Sequence, residues 1–123
     1  MAFEFKNSKK IVEICGKEYE YKTSLLTQQA REKIIHEIES LKKEKDGLKA
    51  IQRMIKSMCD YIEDTFGQGT VDSIFGESGS KNTDYADLLD LTLYIIEKTS
   101  DLEKKQFEKY KVVPDKERTG KGK

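Results

Sequence analysis

The feature that most constrains this chain is a train of apolar residues spaced in threes and fours through its middle. Leu26, Ala30, Ile34, Ile38 and Leu41 recur at that spacing, and Leu48, Ile51, Ile55, Met58, Ile62 and Phe66 continue it. At about 100° per residue the first set fills an arc of roughly 120° on a helix, with Ile35 just outside it. Thr23 or Ser24 is placed to cap the start. Between the two sets runs "ESLKKEKDG", nearly all charged and ending at Gly47. Positions 34, 41, 48, 55 and 62 fall at sevens straight across that glycine, which favours one continuous helix. The glycine and the charged run favour a break. A single helix of more than about 40 residues would have no core to lie on in a chain this small, so the pattern is read as two helices forming a hairpin.

Upstream the period changes from 3.6 to two. "KKIVEICGKEYEYK" alternates on both sides of Gly16. A two-residue turn at Gly16 and Lys17 would set Ile14 opposite Tyr19 and Val12 opposite Tyr21, all on one face. A lone hairpin is marginal in water, so that apolar face needs a cover from the same chain or from a partner. "AFEF" is read as a third short strand.

Downstream, "GESGSKNTD" at 76–84 is a loop by composition, and a further helix starts near Thr83 or Asp84. It carries Tyr85, Leu88, Leu89, Leu91, Leu93, Ile95, Ile96 and Leu102. Leu88 through Ile96 span roughly 200°, wider than one core-facing stripe requires. Pro114 ends that helix, and the tail "VVPDKERTGKGK" is expected to be disordered. The expected fold class is mainly α (α+β): an N-terminal β-hairpin at 1–22 and a bundle of three to four helices at 23–110. These make one domain over 1–111, followed by the tail at 112–123.

Composition narrows the function. Of 123 residues, 36% are hydrophobic and 37% charged, and Lys plus Arg equals Asp plus Glu at 23 each. With no net charge there is no global attraction to nucleic acid or anionic lipid, and little self-repulsion to oppose association. The basic stretch Lys42 to Lys56 is interrupted by Glu44 and Asp46 and carries no interleaved aromatics, which disfavours a nucleic-acid groove. No apolar run approaches the roughly 20 residues of a membrane span, and "MAFEFKNSKK" lacks the apolar region of a signal peptide. Cys15 and Cys59 stand apart from any CxxC motif, so free thiols in a reducing cytosol are expected.

Candidates for catalysis are weak. His36 is the only histidine and lies about 140° from the centre of its helix's apolar arc, a solvated position. No serine or cysteine has an identifiable base beside it. Asp84, Asp87 and Asp90 run i, i+3, i+6, but a solvated face at a helix N-terminus explains them better than a metal. No enzyme activity, cofactor or metal is expected.

"FGQGTVDSIFG" at 66–76 has the look of a ligand loop. A dinucleotide fingerprint fails because Asp72 holds the third glycine position, and a Walker loop fails for want of GK[ST]. A calcium loop begun at Asp64 would put Phe66 and Phe75 where oxygen ligands belong. A structural reading meets no such conflict. Gly67 ends the preceding helix, Thr70 caps a short helix "VDSIF", Gly76 closes it, and Phe66, Ile74 and Phe75 anchor the turn in the core.

The same residues carry a resemblance. "YIEDTFGQGTVDSIFG" is similar to the tail assembly chaperones of long-tailed phages and prophages of Gram-positive bacteria, in which a helix meets FGxGTxxxIFG and a leucine-rich helix follows. Phe66, Gly67, Gly69, Thr70, Ile74, Phe75 and Gly76 match, and "GKEYEY" and the basic tail fit, so the similarity covers roughly residues 10 to 107. It implies a non-enzymatic chaperone in the host bacterial cytoplasm, absent from the mature virion, that binds the apolar helices of the tape measure protein. It also implies a frameshifted longer form that recruits tail-tube protein. The expected mode is capture of a helix in a groove, with Met54, Met58, Leu89, Leu93 and Ile96 as contacts and Leu93 the sharpest of them. The same residues would equally complete the core or form a homo-oligomer (homodimer) seam. The alternative is a small cytosolic helical adaptor or regulatory protein-binding module unrelated to phage.

Overall fold

The computed structural model describes residues 10–76 and 83–110. The alternating segment forms β1 (Lys10–Ile14) and β2 (Lys17–Tyr21), an antiparallel two-stranded sheet. Its register differs from the expected one by two residues: Val12 pairs with Tyr19 and Ile14 with Lys17. The turn is therefore Cys15-Gly16 and not Gly16-Lys17. Both residues have positive φ, 52° and 82°, the signature of a type I′ turn whose twist matches that of the strands. A slip of two preserves the faces. Val12, Ile14 and Tyr21 are buried and Tyr19 is half-buried. The strand expected in "AFEF" and the tail at 112–123 lie outside the described residues.

Helix α1 is Leu25–Leu41. Its cap is Ser24, in a capping box: the Thr27 amide donates to Ser24 Oγ at 3.2 Å, and the Ser24 amide donates to Thr27 Oγ1 at 2.9 Å. Helix α2 is Gly47–Phe66, so the apolar train does break. The charged run forms the connection, where the amides of Lys43 and Glu44 take up the carbonyls of Ser40 and Leu41. Asp46 caps α2 by accepting from the Lys49 amide at 3.2 Å. Arg53 Nε lies 2.6 Å from Glu37 Oε1 across the hairpin. Helix α3 is Thr70–Phe75 and helix α4 is Tyr85–Tyr110. Asp84 opens α4, its carboxylate accepting from the Ala86 amide at 2.8 Å.

The packing places α2 at the centre. Helix α1 lies along it, α3 folds back on its C-terminal end, α4 crosses it, and the hairpin is contacted by α2 through β2 and by α4 through β1. The hairpin's cover therefore comes from its own chain. The core joins Val12, Ile14 and Tyr21 to Ala30 and Ile34 of α1, Met54, Met58, Tyr61 and Ile62 of α2, Val71 of α3, and Leu88 and Ile95 of α4. Two parts of the expected apolar line lie outside it. Leu26 is exposed at the start of α1, and Leu48 and Ile51 are exposed at the start of α2. The buried line of α2 is Met54, Met58, Tyr61, Ile62 and Thr65, rotated toward α1 from the line read off the sequence.

Among the described residues five threonines are buried: Thr27, Thr65, Thr70, Thr92 and Thr99. Each donates its hydroxyl to a nearby backbone carbonyl, such as Thr65 to Tyr61, Thr92 to Leu88 and Thr99 to Ile95. The polar atom is thus satisfied locally and the methyl group packs in the core.

Candidate partner-binding surface

The inward line of α4 is Leu88, Thr92, Ile95 and Thr99. Because threonines take two of these core places, the helix's other large apolar residues lie beside the core or outside it. Leu89, Leu91 and Ile96 are half-buried at its margin. Leu93 is 48% exposed. Leu89 also closes a groove with Ile38, Leu41, Met54 and Tyr85, at the end of the bundle where α1 turns into α2. On α1, Ile35 is exposed, on the flank that also carries Ile38.

Of the expected contact residues, Leu93 is freely accessible, and Leu89 and Ile96 are accessible at their edges. The two methionines are not. Met54 is 2% exposed and Met58 0%, so both are core residues, and a partner docking on the closed bundle meets at most the rim of Met54. The phase of α2 explains this: Met54 is one turn before Met58 and on the same face. Sequence reasoning missed Ile35, Leu25, Leu26 and Phe107, which are exposed. Leu25 and Leu26 stand at the first turn of α1, where apolar spacing reads the same whether or not a neighbour covers it.

The glycine segment is a built turn. Gly67 ends α2 with φ 116°, its amide donating to the Glu63 carbonyl at 2.8 Å. The N-cap of α3 is Gly69 in the left-handed region, not Thr70. Thr70 is the first helical residue, and its hydroxyl donates to the Gly67 carbonyl at 2.7 Å. The α3 cap comes from elsewhere. Glu63 Oε1 accepts from the Gly69 amide at 2.6 Å and Oε2 from the Val71 amide at 2.8 Å. The amides that could have cradled a phosphate are held by the protein's own carboxylate. Gly76 closes α3, its amide donating to the Asp72 carbonyl at 2.7 Å. Phe66 packs against the hairpin, with ring centroids 5.9 Å from Tyr19 and 6.0 Å from Tyr21. The Tyr19 hydroxyl lies 2.9 Å from Ser73 Oγ. Ile74 and Phe75 are half-buried against the core. The segment therefore joins α2, α3 and the hairpin.

A polar cluster ties the far half of α4 to α1 and β2. Glu103 accepts from Arg31, from Gln28 Nε2 at 2.8 Å and from the Tyr21 hydroxyl at 2.8 Å. Burial pushes the Glu103 carboxyl up, but these three donors and the Arg31 charge outweigh it and hold it below its ordinary range. Burial, then Glu103, pushes the Tyr21 hydroxyl far up. Burial also raises Tyr61, whose hydroxyl lies near Thr99, Arg31 and Thr65 without a hydrogen bond of good geometry.

The remaining candidates have structural surroundings. His36, Asp84, Asp87 and Asp90 are exposed. Cys15 is exposed in the hairpin turn, and Cys59 is half-buried, its thiol pushed up by burial and by Asp60, Glu63 and Asp72, which makes it a poor nucleophile. Among the described residues no three His, Cys, Asp or Glu side chains are grouped to hold a metal. None of the described helices is long and apolar enough to cross a membrane.

These features define a small α-helical protein with an N-terminal hairpin buttress and an apolar strip along its last helix. The chain belongs to DUF6673, a family of unknown function whose model matches residues 19–123. No curated protein and no solved structure matches it.

Proposed function

We propose that this protein is a tail assembly chaperone of a long-tailed phage or prophage, binding the tape measure protein during tail morphogenesis in the host cytoplasm without catalysing a reaction. The observation that carries the reading is the 66–76 segment. It is similar to the chaperone motif at Phe66, Gly67, Gly69, Thr70, Ile74, Phe75 and Gly76, and its amides are taken up by Glu63 and not left free for a ligand. The accessible apolar side chains Leu93 and Ile35, with Leu89 and Ile96 at their edges, support a surface for an apolar helix, read as anchors at i, i+4 and i+7. In the closed bundle Met58 has no part in this surface and Met54 lends it at most a rim. A longer frameshifted form would add the tail-tube contact.

The test is co-expression with a phage tape measure protein. The wild-type chain should keep that protein soluble and co-purify with it. Leu93→Asp should lose the complex while keeping its helical circular dichroism. An unchanged yield of soluble partner with Leu93→Asp would remove the named surface, and failure of the wild type to bind any such product would remove the reading itself.

A further inference from the structure

We propose that the partner helix held between α1 and α4 is a basic amphipathic one, with an apolar stripe bordered on both sides by Lys or Arg. This rests on the reading of that surface as a partner site and adds the chemistry of its occupant. Helices α1 and α4 run side by side in opposite directions. Arg31 and Gln28 of α1 meet Glu103 of α4 at one end, and Ile38 and Leu41 close a groove with Leu89 and Tyr85 at the other. Between these ends lie Ile35, four residues after Arg31, and Ile96, seven before Glu103, with Leu93 one turn earlier. Ile35 is 39% exposed and Leu93 48%, so the two helices together present an apolar strip to solvent.

The charges beside the strip say what it takes. Glu32 and Glu39 stand three before and four after Ile35, and Asp90 and Glu97 stand three before and four after Leu93. At about 100° per residue, each acid lies roughly 40–60° further from the core than the apolar residue it brackets. All four are exposed, and among the described residues none of them is in an ion pair. Of the cations on these flanks, Arg31 is taken by Glu103, and Lys42 and Lys104 stand toward opposite ends. The middle of the strip is therefore walled by carboxylates on both rims. A helix seated there needs cations on each side of its own stripe, since charges at a rim select partners and steer their approach. An anionic lipid surface, or another copy of this acid-walled face, would meet like charge.

The experiment measures binding of fluorescent synthetic helices to the full chain by anisotropy. One probe carries a leucine stripe flanked by lysines, a second the same stripe flanked by glutamates, and a third the residues of the first in scrambled order. The lysine helix should bind at least about tenfold tighter than the other two, and its lead should shrink as salt rises. Glu39→Lys with Glu97→Lys should weaken the lysine helix about tenfold and favour the glutamate one, whereas Leu93→Ser should weaken both. All these positions are exposed, and circular dichroism checks that each variant stays folded. Equal binding of the lysine and glutamate helices would overturn the proposal, even with a tape measure protein still co-purifying. So would equal binding of the scrambled probe, indifference to the double reversal, or no binding of any probe. Selective binding of the lysine helix without capture of a tape measure protein would uphold it and remove only the phage reading.

Discussion

Glu63 reaches past the end of its own helix to hold the backbone of Val71, with its second oxygen on Gly69. One side chain of α2 thereby serves as the cap of α3, and the tight path through Gly67 and Gly69 lets it do so. Glu63→Ala should destabilise the fold by about 1–2 kcal/mol, the cost of a lost N-cap carrying charge-assisted bonds, and Glu63→Gln by roughly half as much. Urea unfolding measures both. Equal stability of all three proteins would show that the two bonds contribute nothing net.

The glycines are not equivalent. Gly67 and Gly69 have φ of 116° and 90°, whereas Gly47 sits in the first turn of α2 with open space around its Cα. Gly67→Ala and Gly69→Ala should each cost about 1–3 kcal/mol. Gly47→Ala should be neutral or stabilise by up to about 1 kcal/mol, because alanine is the better helix former and loses less backbone freedom on folding. A melting temperature that falls for Gly47→Ala as much as for Gly67→Ala would contradict this ordering.

Cys15 holds φ 52° in the hairpin turn, a left-handed conformation that asparagine tolerates far better. Cys15→Asn should therefore raise stability by about 0.5–1 kcal/mol and remove an exposed thiol. Thermal unfolding under reducing conditions is the measure, and a lower melting temperature for Cys15→Asn would count against the turn assignment.

The pH dependence follows from the cluster on Glu103. Its folded pKa is lowered from an ordinary 4.5, so its contribution is present above that value and lost as pH falls below it. Tyr21 shifts the other way. Its pKa is raised above the ordinary 10.0, so its contribution is complete below pH 10 and is lost as pH rises beyond it. Glu103→Gln should flatten the acid limb of the stability profile. In the wild type, tyrosinate absorbance from Tyr21 should appear only with alkaline unfolding. A Tyr21 that ionises freely in folded protein would refute the buried network.

Much of the fold could be read because amphipathic periods carry phase. The faces of β1 and β2, the ends of α2 at Asp46 and Gly67, and the start of α4 at Asp84 all follow from local chemistry. The hairpin register did not, since a slip of two residues leaves every side chain on its expected face and only turn geometry distinguishes the pairings. The inward line of α2 was misplaced because Leu48 and Ile51 continue the spacing past the point where anything covers them. Thr92 and Thr99 were overlooked as core residues, although their spacing of seven, interleaved with Leu88 and Ile95, is the signal that finds them. The cap by Glu63 was hidden because it depends on the chain doubling back at Gly67, which no residue pattern states.

The polar ties of α4 are unevenly spread along its length. Tyr94 donates to the Glu13 carbonyl, and Glu103 gathers three donors, whereas Leu88, Leu89 and Tyr85 pack against the apolar core. A hydrocarbon contact has no preferred direction, so it is the ties at Tyr94 and Glu103 that fix the angle at which α4 lies against the hairpin and α1.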